Sequence, residues 1–299
     1  MPASEGTKGL EMAYTRVLVA LDALSDAART VVQRALQVGV DAEITAIHVV
    51  EQHPWAGDQV SFRLLESLRD QVKRGAKERL DAVCGPAGIE GRLLLEGHAA
   101  NEIRRVAESE GADLIVMGAH GRRGWRLLLG STANAVLHGA PCDVLCVHIP
   151  EEPHPFRQVL VAVDPDEDTS PVLDRAVEVA ARSGARVSVV TVVQPLEYTY
   201  AGIDLTGYAD PAMRFGHAVE ERLQAQLDEL AEKFVLTGER LVRRGHPAEE
   251  IHALTEELGV DLVVMGTHGR HGLGVLLGST ANAVLHGAKS DILAVRMPG

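Results

Sequence analysis

The chain is poor in cysteine, in aromatic residues, in positive charge and in long apolar runs, and each shortage closes off a class of protein. Its three cysteines are an odd number and too few for a disulfide framework. Cys142 and Cys146 fall on one side of an expected strand, but the matching positions later in the chain are Ser290 and Ala294. That mismatch argues against a metal or redox role common to both halves. No apolar stretch approaches the roughly 20 residues that span a bilayer, so membrane insertion is not expected. Met1–Ala13 has no apolar core segment and reads as a polar leader, not a signal peptide, which makes the cytoplasm the expected compartment. Lysine and arginine number 29 against 42 acidic residues, a net charge of −13. Nonspecific nucleic-acid binding needs a basic footprint and is not expected. A small anion held by a local nest of backbone amides remains compatible with that charge.

What the chain does have is a repeat. Leu128–Ala140 and Leu276–Ala288 are the same 13 residues, 148 positions apart, and Gly118–Val147 matches Gly266–Val295 at 21 of 30 positions. Packing tolerates many apolar exchanges, so packing alone does not hold Gly, Ser, Thr, Asn and His identical. Two copies of one ligand site account for the identity better. The 299 residues divide into two domains, 1–150 and 151–299, joined by a proline-containing linker at Ile149–Phe156.

Each half alternates β-branched runs with helical patterns. The first is expected to carry strands at Arg16–Leu21, Glu43–Val50, Gly91–Leu95, Leu114–Gly118 and Asp143–His148. The second repeats them at Gln158–Val163, Arg186–Val193, Arg240–Arg243, Leu262–Gly266 and Asp291–Arg296. Gly39, Gly111 and Gly184 mark helix ends, and His246-Pro247 opens a helix with acidic residues in its first turn. This order predicts an α/β fold of two similar doubly wound domains, each a five-stranded parallel sheet flanked by helices. In such sheets ligands sit beyond the carboxyl ends of the strands, where strand order reverses. Asp22 and Gly118 fall at such ends, as do Asp164 and Gly266.

The motif in each half is Gly-x-x-Gly, eight residues, then Gly-Ser-Thr opening a short helix. Its members are Gly118, Gly121, Gly130, Ser131 and Thr132, and then Gly266, Gly269, Gly278, Ser279 and Thr280. Glycines at a strand end let backbone N–H groups approach a ligand, and first-turn amides and hydroxyls suit a phosphate. The competing reading is a plain helix N-cap; duplication with the same flanking glycines favours a ligand. No lysine follows the glycines as in a P-loop, and no nucleophile elbow or triad spacing is present. His120 and His268 lie inside the loops, and His138 and His286 lie near the ends of the short helices. Their spacing is not that of structural zinc, so no metal site is expected.

On these residues the chain resembles two fused universal stress proteins of the ATP-binding-motif branch, from Val-Ala-Leu-Asp22 and Val-Ala-Val-Asp164 to the final strands. The resemblance implies a Rossmann-like fold of the adenine nucleotide alpha hydrolase type. It further implies binding of ATP or of AMP or ADP, with any Mg2+ held mostly by the phosphates. It places Asp22 and Asp164 near the nucleoside and the backbones of Val49 and Val192 against adenine. The glycine loops with Ser131 and Ser279 would hold the phosphates, and His120, Arg122, His268 and Arg270 would flank them. The usual ATP-binding loop is one residue longer than both loops here, which we read as a subfamily variant; a different phosphate path or a smaller nucleotide such as AMP would be its consequence. The first loop holds Arg122, Arg123 and Arg126 where the second has Arg270 and His271, so tighter triphosphate binding is expected in the first half. Tyr198, Tyr200 and Tyr208 leave a lid, a partner surface and a core cover as open alternatives.

Three functions compete: a nucleotide-binding stress-response regulator, a slow ATPase, and an interaction scaffold without nucleotide. No residue stands out as a general base, so catalysis is not the leading expectation. The resemblance also implies that Asp143–His148 and Asp291–Arg296 meet inside the chain as a pseudo-dimer. The sequence leaves further self-association and the protein partner open.

Overall fold

The computed structural model describes residues 14–51, 62–119, 129–148, 154–194, 209–267 and 277–297. The first half runs β1 (Arg16–Ala20), α1 (Ala28–Val38), β2 (Glu43–Glu51), α2 (Phe62–Cys84), β3 (Gly91–Gly97), α3 (Ala99–Glu110), β4 (Leu114–Gly118), α4 (Ser131–Leu137) and β5 (Asp143–Val147). The second runs β6 (Gln158–Ala162), α5 (Ser170–Ser183), β7 (Arg186–Val193), α6 (Ala209–Lys233), β8 (Arg240–Arg244), α7 (Pro247–Glu257), β9 (Leu262–Gly266), α8 (Ser279–Leu285) and β10 (Asp291–Val295).

The ten strands of the described residues form one sheet in the order β3-β2-β1-β4-β5-β10-β9-β6-β7-β8. Pairing within each half is parallel, and the halves join through the antiparallel pair β5·β10, with Leu145 opposite Leu293. These two leucines are equivalent positions of the repeat, so a pseudo-two-fold axis passes between them. The two five-stranded sheets are thus halves of a single sheet.

The central strands are almost entirely apolar because helices cover both faces. Leu114–Met117, Val144–Val147 and Ile292–Val295 are all buried. One face packs on α1, α2, α5 and α6 through residues such as Val31, Ala35, Leu80, Leu173, Ala176 and Leu227. The other packs on α3, α4, α7 and α8 through Ile103, Val136, Ile251, Leu254 and Val284. Gly111 and Gly184 end α3 and α5 in the left-handed region, at φ 62° and 67°. Gly39 also ends its helix, but at φ −110°. Space there is tight: a Cβ would lie 3.0 Å from Val17 and 3.1 Å from the Ala35 carbonyl.

At the seam each half gives its buried carboxylate to an arginine of the other. Asp291, at the start of β10, accepts from Arg34 Nε of α1 at 2.5 Å and from the His148 amide at 2.8 Å. Asp143, at the start of β5, accepts from the Arg296 amide at 2.8 Å and the Tyr14 hydroxyl at 3.0 Å, and pairs with Arg175 of α5 at 3.3 Å. Arg34 lies over the Phe156 ring and Arg175 over Tyr14, with guanidinium carbons 4.2 and 4.7 Å from the centroids. Phe156 and Tyr14 are themselves equivalent positions, each just ahead of the first strand of its half.

Burial pushes Asp291 up from 3.8 to about 6, against the opposing pull of Arg34. Asp143 is also raised by burial, with the Arg296 amide and Arg175 opposing. The folded chain therefore holds the Asp291 proton more tightly than the unfolded chain does. The stability linked to this group is greatest below about 3.8 and declines as pH rises through about 6. In urea denaturation, Asp291→Asn is expected to show a smaller gain in stability from pH 7 to pH 5 than the wild-type chain; an equal pH dependence would contradict this account.

Candidate functional site

Each half has an open cleft at the carboxyl ends of its strands, between the first and fourth, where strand order reverses. The first cleft has a volume of ≈ 450 Å³ and the second ≈ 850 Å³, both in the range of small-molecule sites.

The floor of the first cleft begins at Asp22, directly after β1. Its Oδ1 accepts the Leu24 amide at 3.2 Å, while its carbonyl accepts the Ser25 amide at 2.8 Å. Asp164 does the same in the second, accepting the Asp166 amide at 3.1 Å with its carbonyl taking Glu167 N–H at 3.0 Å. In both halves the aspartate therefore builds the turn that carries it, as Asx turns do.

Val49 and Val192 lie late in β2 and β7, among the cleft-lining residues. The Ile47 carbonyl accepts Leu21 N–H at 2.9 Å, and the Val190 carbonyl accepts Val163 N–H at 3.0 Å. Backbone groups two residues further on point the same way. Val49 and Val192 thus turn their amides and carbonyls toward the side where β1 and β6 have ended.

The glycine loops are pinned at their necks. Ala119 N–H donates to Val147 O at 2.9 Å, and Gly130 N–H donates to Ala119 O at 2.8 Å. The second loop has the same bonds, Thr267 to Val295 O at 2.9 Å and Gly278 to Thr267 O at 2.7 Å. Gly118, Gly130, Ser131 and Thr132 line the first cleft, and Gly266, Gly278, Ser279 and Thr280 line the second. The N-cap of α4 is Gly130 and that of α8 is Gly278, in matching extended conformations. The glycine of each Gly-Ser-Thr thus caps its helix, and the serine occupies the first helical position. Ser131, Ser279 and Thr280 are exposed. His120, Gly121, Arg122, His268, Gly269 and Arg270 lie outside the described residues, as do the further loop arginines and Tyr198, Tyr200 and Tyr208.

The paired histidines after the short helices have a local role. His138 Nδ1 lies 2.8 Å from Asn134 O, and His286 Nδ1 lies 2.7 Å from Asn282 O. Each ring ties the last turn of its helix. Among the described residues no three His, Cys, Asp or Glu side chains gather in a metal-sized cluster.

The clefts differ in ways the motif did not reveal. His48, buried at the first, has Nδ1 2.8 Å from the Leu21 carbonyl; the equivalent residue is Thr191. The turn at the second cleft carries Asp164, Asp166, Glu167 and Asp168, where the first has Asp22, Leu24, Ser25 and Asp26. The amide of Ser170 holds Asp168 below the usual carboxylate range. Arg222 of α6 pairs with Asp166 at 3.2 Å and lines the same cleft. Aligning the two halves position by position exposes His48 and the acidic turn; the reach of α6 into the cleft has no sequence signal.

Two tandem α/β units, each with a glycine-lined cleft at a topological switch point, define the class of this protein. The sequence profile of the universal stress protein family matches residues 13–148 and again 155–296, and the chain belongs to that family. It is 37% identical over 140 residues to universal stress protein A homolog 2 of Coxiella burnetii, covering 46% of this chain and 96% of that one. A universal stress protein of Mycolicibacterium smegmatis is 27% identical over 296 residues, 94% of this chain and 96% of the relative. The solved structure of a universal stress protein from Archaeoglobus fulgidus shares the fold, with TM-score 0.67 at 20% identity over 95% of this chain and 97% of that one. No helix among the described residues is long and apolar enough to cross a membrane.

Replacing His48 by Thr, its counterpart, removes the ring nitrogen that lies within hydrogen-bond reach of both the Leu21 carbonyl, at 2.8 Å, and the Ala23 amide, at 3.3 Å. This is expected to cost about 1–3 kcal/mol in urea denaturation; a change within error would show that the ring does not hold the β1–α1 turn.

Proposed function

We propose that this universal stress protein binds ATP, or a related adenine nucleotide such as AMP or ADP, in its two clefts and acts as a stress-response regulator. The observation that carries this is the duplicated wall of Gly130, Ser131 and Thr132, and of Gly278, Ser279 and Thr280, facing an aspartate turn across a cleft of sufficient volume. In this reading the glycine-loop amides and exposed hydroxyls hold phosphates. Val49 and Val192 offer backbone groups to the base, and Asp22 and Asp164 lie toward the ribose. Any Mg2+ is held mainly by the phosphates.

The first cleft is the better triphosphate site in this proposal. Its turn carries fewer carboxylates than the acidic turn of the second, and like charge disfavours an unshielded polyphosphate. The arginines of its loop act in the same direction.

Mass spectrometry of the nucleotide released from the purified, heat-denatured chain tests this. An adenine nucleotide at one or two per chain is expected. Added ATP at about 100 times its Kd should then raise stability by about 2.7 kcal/mol. No released nucleotide, together with no thermal shift at millimolar ATP, would leave the scaffold reading. Steady phosphate release that vanishes in a cleft variant would instead make the protein a slow ATPase.

A further inference from the structure

A third cavity lies away from both sets of cleft residues except at one wall. Its volume is ≈ 230 Å³, and it sits at the seam between Arg104 of α3, the Gly139–Cys142 turn, and Thr267 and Arg296 of the second half. We propose that this seam pocket binds a small oxyanion of the phosphate class, gripped by one arginine from each half.

The two guanidinium groups carry the argument. Arg104 is held rigidly by neutral acceptors: Nε donates to Ala100 O at 3.3 Å, Nη1 to His138 O at 3.2 Å and Nη2 to Asn101 Oδ1 at 2.8 Å. These three bonds leave two of its five N–H groups for a ligand. Gly139 makes room for it, since a Cβ there would lie 2.7 Å from Arg104 Nη1. Arg296 is exposed, and its charge is felt at the neighbouring Cys142 thiol. Among the described residues neither arginine forms an ion pair, whereas the other seam arginines, Arg34 and Arg175, both do. Two cations without a carboxylate partner, in a chain of net charge −13, are an anion site in search of its counter-charge. Leu137 and Val144 line the same pocket and lower the local dielectric.

The pseudo-symmetric position shows that the repeat does not require such a pocket. There His252 replaces Arg104, with Nε2 2.8 Å from Val284 O, and Lys289 replaces Pro141 and pairs with Glu256 at 2.5 Å. The space left is ≈ 20 Å³, walled by second-half residues alone. At the seam pocket Pro141 cannot neutralise the equivalent acid, Glu108, which stands exposed on the rim and opposes an anion. The volume falls below that of most small-molecule sites, which selects a compact oxyanion over a nucleotide. Thr267 belongs to this pocket and to the second cleft, so a bound anion would touch the neck of the second glycine loop. The proposal does not rest on nucleotide binding.

The test is a titration of the full chain with inorganic phosphate at constant ionic strength, followed by backbone amide NMR without nucleotide. Saturable shifts are expected at Gly139, Ala140, Cys142 and Thr267. Arg296→Gln, an exposed change that leaves the packing intact, should weaken binding roughly tenfold, the loss of about one charge-assisted bond. Glu108→Gln should tighten it. Shifts that never saturate, or shifts confined to Gly130–Thr132 and Gly278–Thr280, would overturn the proposal. So would wild-type affinity in Arg296→Gln.

Discussion

Two buried carboxylates, each at the start of the last strand of its half and each met by an arginine from the other half, fix how the two halves of this molecule join. Without the β5·β10 pair both strands would be exposed sheet edges, open to pairing with other chains. With it, ten strands share one sheet and two helical layers. Asp143 and Asp291 also cap the seam by accepting the Arg296 and His148 amides that follow the opposite strand. A carboxylate placed this deep is costly unless its charge and hydrogen bonds are met. Here an arginine stacked on an aromatic ring and a backbone amide meet each.

The clefts inherit their shape from this seam. Val147 and Val295, the last residues of the seam strands, accept the amides of Ala119 and Thr267 that begin the two glycine loops. α1 and α5 line the clefts with their first turns, through Ala28 and Val172, and reach the seam further along with Arg34 and Arg175. Each cleft is therefore joined through one helix to the carboxylate of the other half. Symmetry ends at the rims: a buried histidine marks one cleft and an acidic turn the other.

Much of this was legible in the sequence, for identifiable reasons. Parallel strands covered on both faces must be nearly all apolar, so Leu114–Gly118 and Leu262–Gly266 stood out, and glycine stops bounded the helices. Strand ends were less exact: β3 continues to Gly97 beyond the expected Leu95, because pairing with β2 persists to Glu51. The cleft residues Asp22, Gly118, Gly130 and Ser131 were legible because the repeat preserved them. Other features depend on tertiary proximity. Nothing local marks Arg34 as the partner of Asp291, 257 positions away, or brings Arg104 and Arg296 to one pocket. Which residue of Gly-Ser-Thr caps the helix depends on backbone geometry, and the extended Gly130 puts the cap on the glycine.

The central claim is that the two glycine-lined clefts hold adenine nucleotide. A crystal structure of the full chain grown with ATP tests it most directly. The expected result is a nucleotide with its base beside the Val49 or Val192 backbone and its phosphates against Gly130–Thr132 or Gly278–Thr280. Clefts that stay empty at saturating ATP, or nucleotide bound only elsewhere on the molecule, would contradict it.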